Sequence, residues 1–565
     1  MSHGVKPSDY PPPVDQVNEF IGKPTDPEDE RIEVGIAIVG GGPAGLAAAI
    51  KLMQILEHEP ELAESLGEVP VAVIEKGKVC GAHALSGASM RPSAMRELFP
   101  DLDPSDWPVY GEVKKDATYL LTKKHKVKLV PPPPNFKNHG NYITSVSELS
   151  RFLAAKAEEM GVYLLTETNA MKLLVEEGTV VGVRTGDKGQ DREGKPMGNF
   201  EPGVDVVAKA TIVAEGTIGH LTLAAEEFFD IAPDQPQNWE LGVKEVWEVA
   251  KPLDRVIHTM GWPLRKGARY NEFGGSFIYP MGEDKVCLGM VIGLDYTDAT
   301  ISCHDLLQQF KTHPFVHKIL DGGKRIAWGA KTIPSGGYFS MPKSLSVPGM
   351  VIAGDAAGMV NIPVLKGVHY AMHSGMFAAE TVIEAIKQGS TDFSAYDKKV
   401  QDGLIGNELY ESRNTRQFFG KGFFVGGALA GLSTVTKGRL PLGKWINESD
   451  ASEPMFIGDR YDHYPKPDNE YTFNKLDSVF ASGNATRDSA PNHIRIQTNV
   501  PREIAQTWVS LCPAQVYEIP ESEPATGNVD VHVTPSNCVQ CGAITAKGGR
   551  LTPPEGGDGP LYQIV

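Results

Sequence analysis

Apolar runs and a glycine-rich turn near the start of the chain predict a strand–turn–helix unit. Residues 34–39 (Val-Gly-Ile-Ala-Ile-Val) form a short, partly β-branched apolar run, as expected of a buried parallel strand. The turn follows directly, and residues 46–56 then have the pattern of a helix. A second apolar run at 71–74 predicts the next strand, which ends before Glu75. This order of elements indicates an α/β fold.

The turn has the spacing of a dinucleotide-binding site. Gly40, Gly42 and Gly45 form the pattern Gly-x-Gly-x-x-Gly. The first glycine permits a tight turn, the second lets the backbone approach a pyrophosphate, and the third lets helix and strand pack closely. The phosphates would lie at the helix N-terminus, where free N–H groups favour anions. Glu75 would accept the ribose hydroxyls. A glycine-rich turn in another α/β protein is the alternative interpretation.

A second element of the same kind lies far downstream. Residues 350–353 form an apolar strand that is followed by Gly354, Asp355 and small residues predicted to open a helix. We expect Asp355 to meet the ribityl chain of a flavin and the helix N-terminus to face the pyrophosphate or the flavin ring. Because an NAD enzyme needs no second Gly-Asp strand, the two elements together indicate FAD.

The most apolar stretch outside the strands lies at residues 418–432, and residues 422–436 carry no charge. The stretch is shorter than the ~20 residues that span a bilayer, but it could lie in a membrane interface. Lys421, Lys437, Arg439 and Lys444 flank it, and a second basic group lies within 114–128. Basic residues beside apolar segments suit anionic headgroups. A buried glycine-rich helix is the alternative interpretation.

Length and charge narrow the class of protein. A chain of 565 residues is too long for one core, so about two to four domains are expected. A net charge of −17 argues against nucleic acid as a partner. Residues 1–31 are rich in proline and acidic residues, and we interpret them as a flexible arm. They lack the features of a signal or transit peptide, which favours a bacterial protein.

Cysteines suggest a metal cluster near the C-terminus. Cys512 precedes Pro-Ala, and Cys538 and Cys541 form a Cys-x-x-Cys pair. A 4Fe-4S cluster is normally held by four cysteine thiolates. The sequence supplies three in this region, and the spare cysteines are Cys80, Cys287 and Cys303.

Longer segments between these motifs resemble electron transfer flavoprotein–ubiquinone oxidoreductases, and the resemblance extends from about residue 36 to the C-terminus. The segments that carry it are residues 81–87, 138–142, 214–221, 261–264, 274–277, 322–327, 366–369 and 465–468.

The resemblance implies a division of the chain into parts. It implies a Rossmann-like FAD domain of the glutathione-reductase type, an inserted α+β quinone domain, a membrane-facing apolar segment and a ferredoxin-like domain. It also adds Lys366 and Gly367 to the flavin site and places the quinone headgroup near Gly274 and Gly275. For that glycine pair, a β-bulge or turn is the structural alternative. The respective segments are 32–110, 145–235 and 335–410 for FAD, 111–144 and 236–334 for quinone, 411–446 for the apolar segment, and 447–565 for the ferredoxin-like domain.

The implied activity is transfer of electrons from reduced electron transfer flavoprotein, through FAD and a cluster if present, to ubiquinone. The enzyme would be monotopic on the cytoplasmic face of a bacterial inner membrane. We expect no side chain to act as acid, base or nucleophile, because the cofactors carry the chemistry. His83, His139 and His369 are interpreted as structural. The alternatives are a geranylgeranyl-reductase-like flavoenzyme and a non-catalytic flavin subunit that serves a separate ferredoxin.

The sequence departs from the family pattern at one cluster ligand. The family has a further Cys-x-x-Cys step after Cys541, where this chain has Ile544. Three outcomes follow: a four-iron cluster with another ligand, for which Cys80 is the spare cysteine to consider, a three-iron cluster, or a module without a cluster.

Overall fold

The computed structural model describes residues 4–133, 136–265, 270–441 and 443–565, with the backbone alone for residue 423. The strands are β1 (Ile21–Gly22), β2 (Ile32–Val39), β3 (Val71–Ile74), β4 (Ser89–Met90), β5 (Val109–Glu112), β6 (Asp116–Leu121), β7 (Lys126–Lys128), β8 (Tyr142–Thr144), β9 (Tyr163–Leu165), β10 (Ala170–Glu176), β11 (Thr179–Thr185), β12 (Lys188–Gln190), β13 (Pro196–Glu201), β14 (Asp205–Val213), β15 (Trp239–Glu248), β16 (Val256–Gly261), β17 (Gly274–Met281), β18 (Lys285–Gly293), β19 (Lys324–Pro334), β20 (Ser346–Val347), β21 (Met350–Ile352), β22 (Ile494–Arg495), β23 (Asn499–Pro501), β24 (Tyr517–Glu518), β25 (Asn528–Asp530), β26 (His532–Val533) and β27 (Arg550–Leu551).

The α-helices are α1 (Gln16–Phe20), α2 (Pro43–Leu56), α3 (Pro60–Ser65), α4 (Ser93–Leu98), α5 (Val146–Glu159), α6 (His220–Phe228), α7 (Cys303–Lys311), α8 (Pro314–Leu320), α9 (Val368–Lys387), α10 (Ala395–Asp402), α11 (Leu404–Glu411), α12 (Thr415–Phe418), α13 (Phe423–Val435), α14 (Lys475–Ala481) and α15 (Arg502–Leu511).

The first sheet has a parallel core that contains the three predicted strands, as β2, β3 and β21, together with β9 and β14. Strand β2 pairs in parallel with β3 and β14, β14 pairs with β21, and β3 pairs with β9. Antiparallel β11 and β10 extend the sheet from β14. Strands β3 and β21 are buried along their whole length, as expected of parallel strands covered on both faces. Helix α2 packs against α5 and α9.

The second sheet is mostly antiparallel and has the order β19-β15-β18-β17-β16-β6-β7. Helix α7 packs against β15 and β18 and so covers one face. All seven strands come from the two segments expected to form the quinone domain, 111–144 and 236–334. The predicted division of the chain into domains stays a prediction, with which this origin of the strands is consistent.

The N-terminal segment differs from the predicted flexible arm. Residues 4–31 lie against the body of the protein, and β1 adds to the first sheet beside β10. Phe20 is 2% exposed, which buries its aromatic ring in the core of this sheet. The Asp205 carboxylate accepts the backbone N–H groups of Thr25 and Asp26. An apolar anchor and a buried acceptor hold a segment whose composition alone suggests a flexible arm.

The C-terminal part is a set of short strand pairs with α14 and α15, docked on the second sheet. Helix α14 contacts β19, and the backbone N–H of Thr332 in β19 donates to the carbonyl oxygen of Cys541. The chain end returns to the sheet, where the Tyr562 hydroxyl accepts the backbone N–H of Ala330.

Candidate functional site

One cavity of about 790 Å³ joins the predicted flavin, quinone and cluster regions. It extends from the glycine-rich turn before α2, across one face of the second sheet, to α13 and the loop around Gln540. Its volume is within the range of sites for small molecules and cofactors. The predicted site residues that line it are Gly40, Gly42, Glu75, Gly274, Gly275, Asp355, Lys366 and Gly367.

At two glycines of the turn a side chain would clash with the backbone, whereas at the third there is open space. Gly40 has φ of +110°, and a Cβ atom there would lie 2.3 Å from the carbonyl oxygen of Ala214. A Cβ atom at Gly45 would lie 2.0 Å from the carbonyl oxygen of Gly40. Among the described residues, a Cβ atom at Gly42 would meet no non-neighbouring atom within 4 Å, and no side chain caps α2 at this residue. The helix N-terminus therefore opens into the cavity, as a pyrophosphate site requires.

Glu75 lies at the end of β3 and is anchored by the backbone. Its carboxylate accepts the N–H groups of Gly41 at 2.7 Å and Gly77 at 2.6 Å. These bonds fix the side chain at the edge of the cavity. The position suits recognition of a ribose diol beside the pyrophosphate site.

Asp355 lies after β21, but the helix expected to follow it begins later. Residues 354–357 form a 3-10 turn, and α9 begins only at Val368. The reason is backbone geometry, because Gly354 and Gly358 have left-handed φ values of +69° and +72°. Burial raises the pKa of Asp355 to about 6, although the charge of Lys331 opposes this. A hydroxyl-rich ligand would supply partners for this carboxylate.

Lys366 places a buried amine in the cavity. Its Nζ donates to Asn138 Oδ1 at 3.0 Å and to the carbonyl oxygen of Val364 at 3.1 Å. Burial lowers its pKa to about 7, and the charge of Arg91 adds to this effect. An open helix N-terminus, an anchored acid and a buried cation together fit FAD.

Gly274 and Gly275 are the first residues of β17 and not the bulge or turn that was the alternative interpretation. A Cβ atom at Gly274 would lie 2.1 Å from the carbonyl oxygen of Val291, and one at Gly275 would lie 2.7 Å from that of Thr259. Close strand approach therefore explains both glycines. Since both also line the cavity, a ligand role is compatible with the packing role.

Two lysines connect the flavin side of the cavity to the cysteine loop. Lys331 donates through Nζ to the carbonyl oxygen of Gln540 at 3.0 Å. Burial lowers its pKa to about 8, with a contribution from the charge of Lys76. Lys76 follows Glu75 directly, and both lysines line the cavity. Lys331 has no local signal in the sequence, because only the docking of the cysteine loop on β19 brings it near the cysteines.

The three C-terminal cysteines are buried close together. Exposed fractions are 7% for Cys512 and Cys538 and 9% for Cys541. Burial raises the pKa of Cys541 to about 12, and the charge of Cys512 contributes. Cys512 Sγ accepts the backbone N–H groups of Ala514 and Val516 at 3.4 Å. Within the described ranges, no His, Cys, Asp and Glu side chains form a group of three or more that could hold a single ion.

Spare cysteines are engaged elsewhere. The Cys303 thiol donates to the carbonyl oxygens of Leu241 and Met290, and Cys287 donates to that of Gly87. Cys80 lies beside the glycine-rich turn, where a Cβ atom at Gly41 would be 2.5 Å from its Sγ. None of these contacts points to a fourth cluster ligand.

Ile544 occupies an apolar site. It is 5% exposed and lies in a 3-10 turn at 543–547. A Cβ atom at Gly549 would be 2.4 Å from Ile544 Cγ1 and 2.9 Å from Ile496 Cγ2, so these side chains pack around the glycine. A hydrocarbon side chain cannot bind iron. The residues present therefore fit a cluster with three protein thiolates and do not supply a fourth.

Comparison with known proteins decides the family. The chain is 36% identical to a mitochondrial electron transfer flavoprotein-ubiquinone oxidoreductase of Oryza sativa, covering 95% of this chain and 94% of that protein. It is 36% identical to the protein of that name in Pseudomonas aeruginosa, covering 95% and 99%. The chain belongs to the electron transfer flavoprotein–ubiquinone oxidoreductase family.

Two family models match separate segments. Residues 239–333 match the model described as ETF-QO, ubiquinone-binding, and this segment contains β15 to β18 and most of β19. Residues 469–563 match the model described as electron transfer flavoprotein-ubiquinone oxidoreductase, 4Fe-4S. The family assignment thus confirms the resemblance and supports FAD and a 4Fe-4S cluster as cofactors, although Ile544 leaves the ligand set one short.

A solved structure shows a related fold. A geranylgeranyl bacteriochlorophyll reductase-like protein of Thermoplasma acidophilum has a TM-score of 0.54 at 20% identity, covering 74% of this chain and 94% of that one. This likeness supports the α/β architecture of the family member described here.

Proposed function

We propose that this protein accepts electrons from reduced electron transfer flavoprotein and passes them through FAD to ubiquinone. The observation that carries the proposal is the single cavity that joins the glycine-rich turn, the second sheet and α13. FAD, when bound, supplies the redox chemistry, and the protein positions it beside the acceptor. Family membership supports both the donor and the acceptor.

We assign the flavin contacts to four features of the cavity. The open backbone at Gly42 and the uncapped start of α2 would hold the pyrophosphate. Glu75 would accept the ribose hydroxyls, and Asp355 the ribityl hydroxyls. Lys366 and Gly367, which precede α9, would face the flavin ring. Gly40, Gly45 and Gly354 act through the backbone geometry that forms this cradle.

The quinone would enter from lipid along α13. Gly427, Ala430, Gly431 and Thr434 of this helix line the cavity, whereas Leu432 and Val435 are 51% and 73% exposed. One side of the helix thus faces the site and the other presents apolar side chains outward. The headgroup would then reach Gly274 and Gly275.

Membrane contact is proposed to be monotopic, on the cytoplasmic face of a bacterial inner membrane. Helix α13 has 13 residues, a length of roughly 20 Å. Of the helices in the described part of the chain, none is long and apolar enough to cross a membrane. Exposed Phe424, Val425, Leu432 and Val435 supply an apolar face for the interface.

The function is tested with purified protein, reduced electron transfer flavoprotein and a short-chain ubiquinone. Turnover with both supports the proposal. Reduction of a prenyl double bond without quinone turnover would support the reductase alternative. If the flavin is reduced but passes its electrons only to a separate ferredoxin and not to quinone, the protein is the non-catalytic flavin subunit.

For the cluster, we propose that Cys512, Cys538 and Cys541 are its protein ligands. Iron and acid-labile sulfide per FAD, with EPR before and after dithionite, distinguish the open outcomes. About four irons mean that a ligand from outside these three thiols completes the cluster. About three irons mean a trimmed cluster, and an iron content unchanged in Cys512→Ala contradicts the ligand set.

A further inference from the structure

A buried histidine–tyrosine pair lies on the face of the second sheet that lines the cavity. Strands β16 and β17 run antiparallel, with His258 opposite Phe277. Tyr279 lies two residues beyond Phe277 and Gly275 two residues before it, so all four share one face of the sheet. His258 and Tyr279 are each 3% exposed, and both line the cavity. Neither stands out in the sequence.

The pair has one hydrogen that the protein does not use. His258 Nε2 and the Tyr279 hydroxyl are 2.7 Å apart. A neutral imidazole has one N–H and a tyrosine one O–H, and their mutual bond uses one of the two. His258 Nδ1 is buried, and in the residues that the structure describes it has no hydrogen-bond partner. When tyrosine donates to Nε2, Nδ1 carries the spare N–H.

The surroundings favour this neutral arrangement. Burial lowers the pKa of His258 to about 3, and the charge of Lys366 adds to the effect. The Phe136 ring stacks on the imidazole at 5.0 Å between centroids. An apolar cover and a nearby cation keep the imidazole uncharged. Leaving a buried donor unsatisfied is costly, so the arrangement points to an acceptor on a ligand.

The position along the strand agrees with the proposed quinone site. Residues 275 and 277 are separated by roughly 6.6 Å along β17. A ring whose first carbonyl oxygen meets the backbone of Gly275 would extend its second carbonyl toward Phe277 and His258. Phe277 packs against Gly289, where a Cβ atom would be 2.5 Å from its ring. This packing fixes the Phe277 ring as the surface on which the quinone ring would lie between Gly275 and His258.

We propose that His258, supported by Tyr279, is the hydrogen-bond and proton donor to one carbonyl oxygen of the quinone. The inference rests on the proposed function. Conversion of a quinone to a quinol takes two electrons, from the flavin, and two protons. The Nδ1–H bond of His258 breaks as the quinone O–H bond forms, and the tyrosine proton moves to Nε2. Water restores the proton of Tyr279 and supplies the second proton to the other oxygen.

The test separates hydrogen bonding from proton transfer with variants of one position. His258→Leu removes both, whereas His258→Asn retains an amide N–H near the position of Nδ1 but no transferable proton. We expect His258→Leu to weaken binding of a short-chain quinone about fivefold, measured by calorimetry on the oxidised holoprotein. His258→Asn should restore binding. Both variants should lower quinone turnover by about 100-fold or more.

Tyr279→Phe is a nearly isosteric second variant that keeps the fold. It should lower quinone turnover while FAD content and reduction by electron transfer flavoprotein stay unchanged. Transfer to a one-electron acceptor that takes no proton, such as ferricenium, should be equal in all variants. His304→Leu is the matched control, because it removes a buried imidazole from α7, on the opposite side of the same sheet.

The outcomes separate the two proposals. If His258→Leu is folded and equals the wild type in quinone turnover and in quinone affinity, this inference is overturned and the proposed function is not. A wild-type protein that reduces no quinone overturns the proposed function and this inference with it. Equal losses in His304→Leu would assign the effect to general destabilisation and would also overturn the inference.

Discussion

Glu75 anchors the backbone of two turns, and in the proposed flavin site the same carboxylate would also meet a ligand. Its two oxygens accept N–H groups from the turns at Gly41 and Gly77. The side chain therefore holds the shape of the glycine-rich turn before any cofactor binds. A ribose diol would use acceptor capacity that remains on the same oxygens.

Glu75→Ala should weaken FAD binding about 10- to 100-fold, since hydrogen bonds to a charged group contribute about 1.5–3 kcal/mol. The dissociation constant of FAD, from reconstitution of the flavin-free protein, checks this. Glu57→Ala, at an exposed acid just beyond α2, is the control and should leave the constant unchanged. If the dissociation constant of FAD is unaltered in Glu75→Ala, Glu75 does not contribute to FAD binding.

A buried ion pair lies on the other face of the second sheet. Lys311 Nζ donates to both Glu245 oxygens, at 2.9 and 2.7 Å, and both side chains are fully buried. Burial lowers the pKa of Lys311 to about 8, although the carboxylate opposes this. The pair orders α7 against β15.

Lys311 should make stability depend on pH in the alkaline range. Between about pH 8 and the value of 10.5 for a free lysine, the unfolded chain holds a proton that the folded chain has lost. The contribution of this group to the free energy of unfolding therefore rises with pH across that window and is constant below it. Urea unfolding of wild type and Lys311→Met from pH 7 to 10 measures the difference.

At pH 7 we expect Lys311→Met to be less stable by about 3–5 kcal/mol, because Glu245 loses its closest partner. The pH-dependent rise should be absent from this variant. Lys318→Met, at an exposed position of α8, should behave as wild type. Parallel pH profiles for Lys311→Met and wild type would refute the predicted titration.

At the scale of elements, α13 has one side that lines the cavity and another that exposes apolar side chains. Its exposed positions 424, 425, 428, 432 and 435 are all apolar and recur at helical spacing. Small residues on the cavity side, such as Gly427 and Gly431, leave space beside the helix. An apolar outer face over a cavity is the arrangement that a lipid-borne substrate needs.

Leu432→Asp should reduce binding to vesicles of phosphatidylethanolamine and phosphatidylglycerol more than tenfold. Burial of one leucine side chain contributes about 1.5–3 kcal/mol. Flotation with vesicles measures the bound fraction. Phe480→Asp changes a side chain that is 88% exposed on α14, and it should bind normally. Equal losses in both variants would show that α13 is not the specific contact.

At the scale of the whole molecule, one cavity is walled by segments that are far apart in the chain. Residues 40–44, 274–277 and 540–542 all contribute to it. A ligand that fills such a cavity stabilises every wall, because it binds the folded state alone.

Removal of FAD should therefore increase hydrogen exchange in these three segments together. Hydrogen–deuterium exchange of the holoprotein and the flavin-free protein measures the change. The β12–β13 hairpin, which does not line the cavity, is the internal control and should exchange equally in both forms. A change confined to residues 40–44 would mean that FAD does not stabilise the segments 274–277 and 540–542.

The sequence by itself determined the features whose residues are neighbours in the chain. The strand before Gly40, the acid at Glu75 and the Gly-Asp step at Asp355 follow from local pattern, because each is a turn or strand end. The loss of a cluster ligand at Ile544 is equally a local departure from a spacing.

The tertiary structure alone decided contacts that depend on strand register and packing. His258 meets Tyr279 because β16 and β17 pair in one register, and a shift of one residue would turn them to opposite faces. Lys331 reaches Gln540 because the cysteine loop docks on β19. The N-terminal segment is ordered because the buried Asp205 and the core around Phe20 accept it. These pairings join distant residues, and only the folded chain supplies the free energy that selects them.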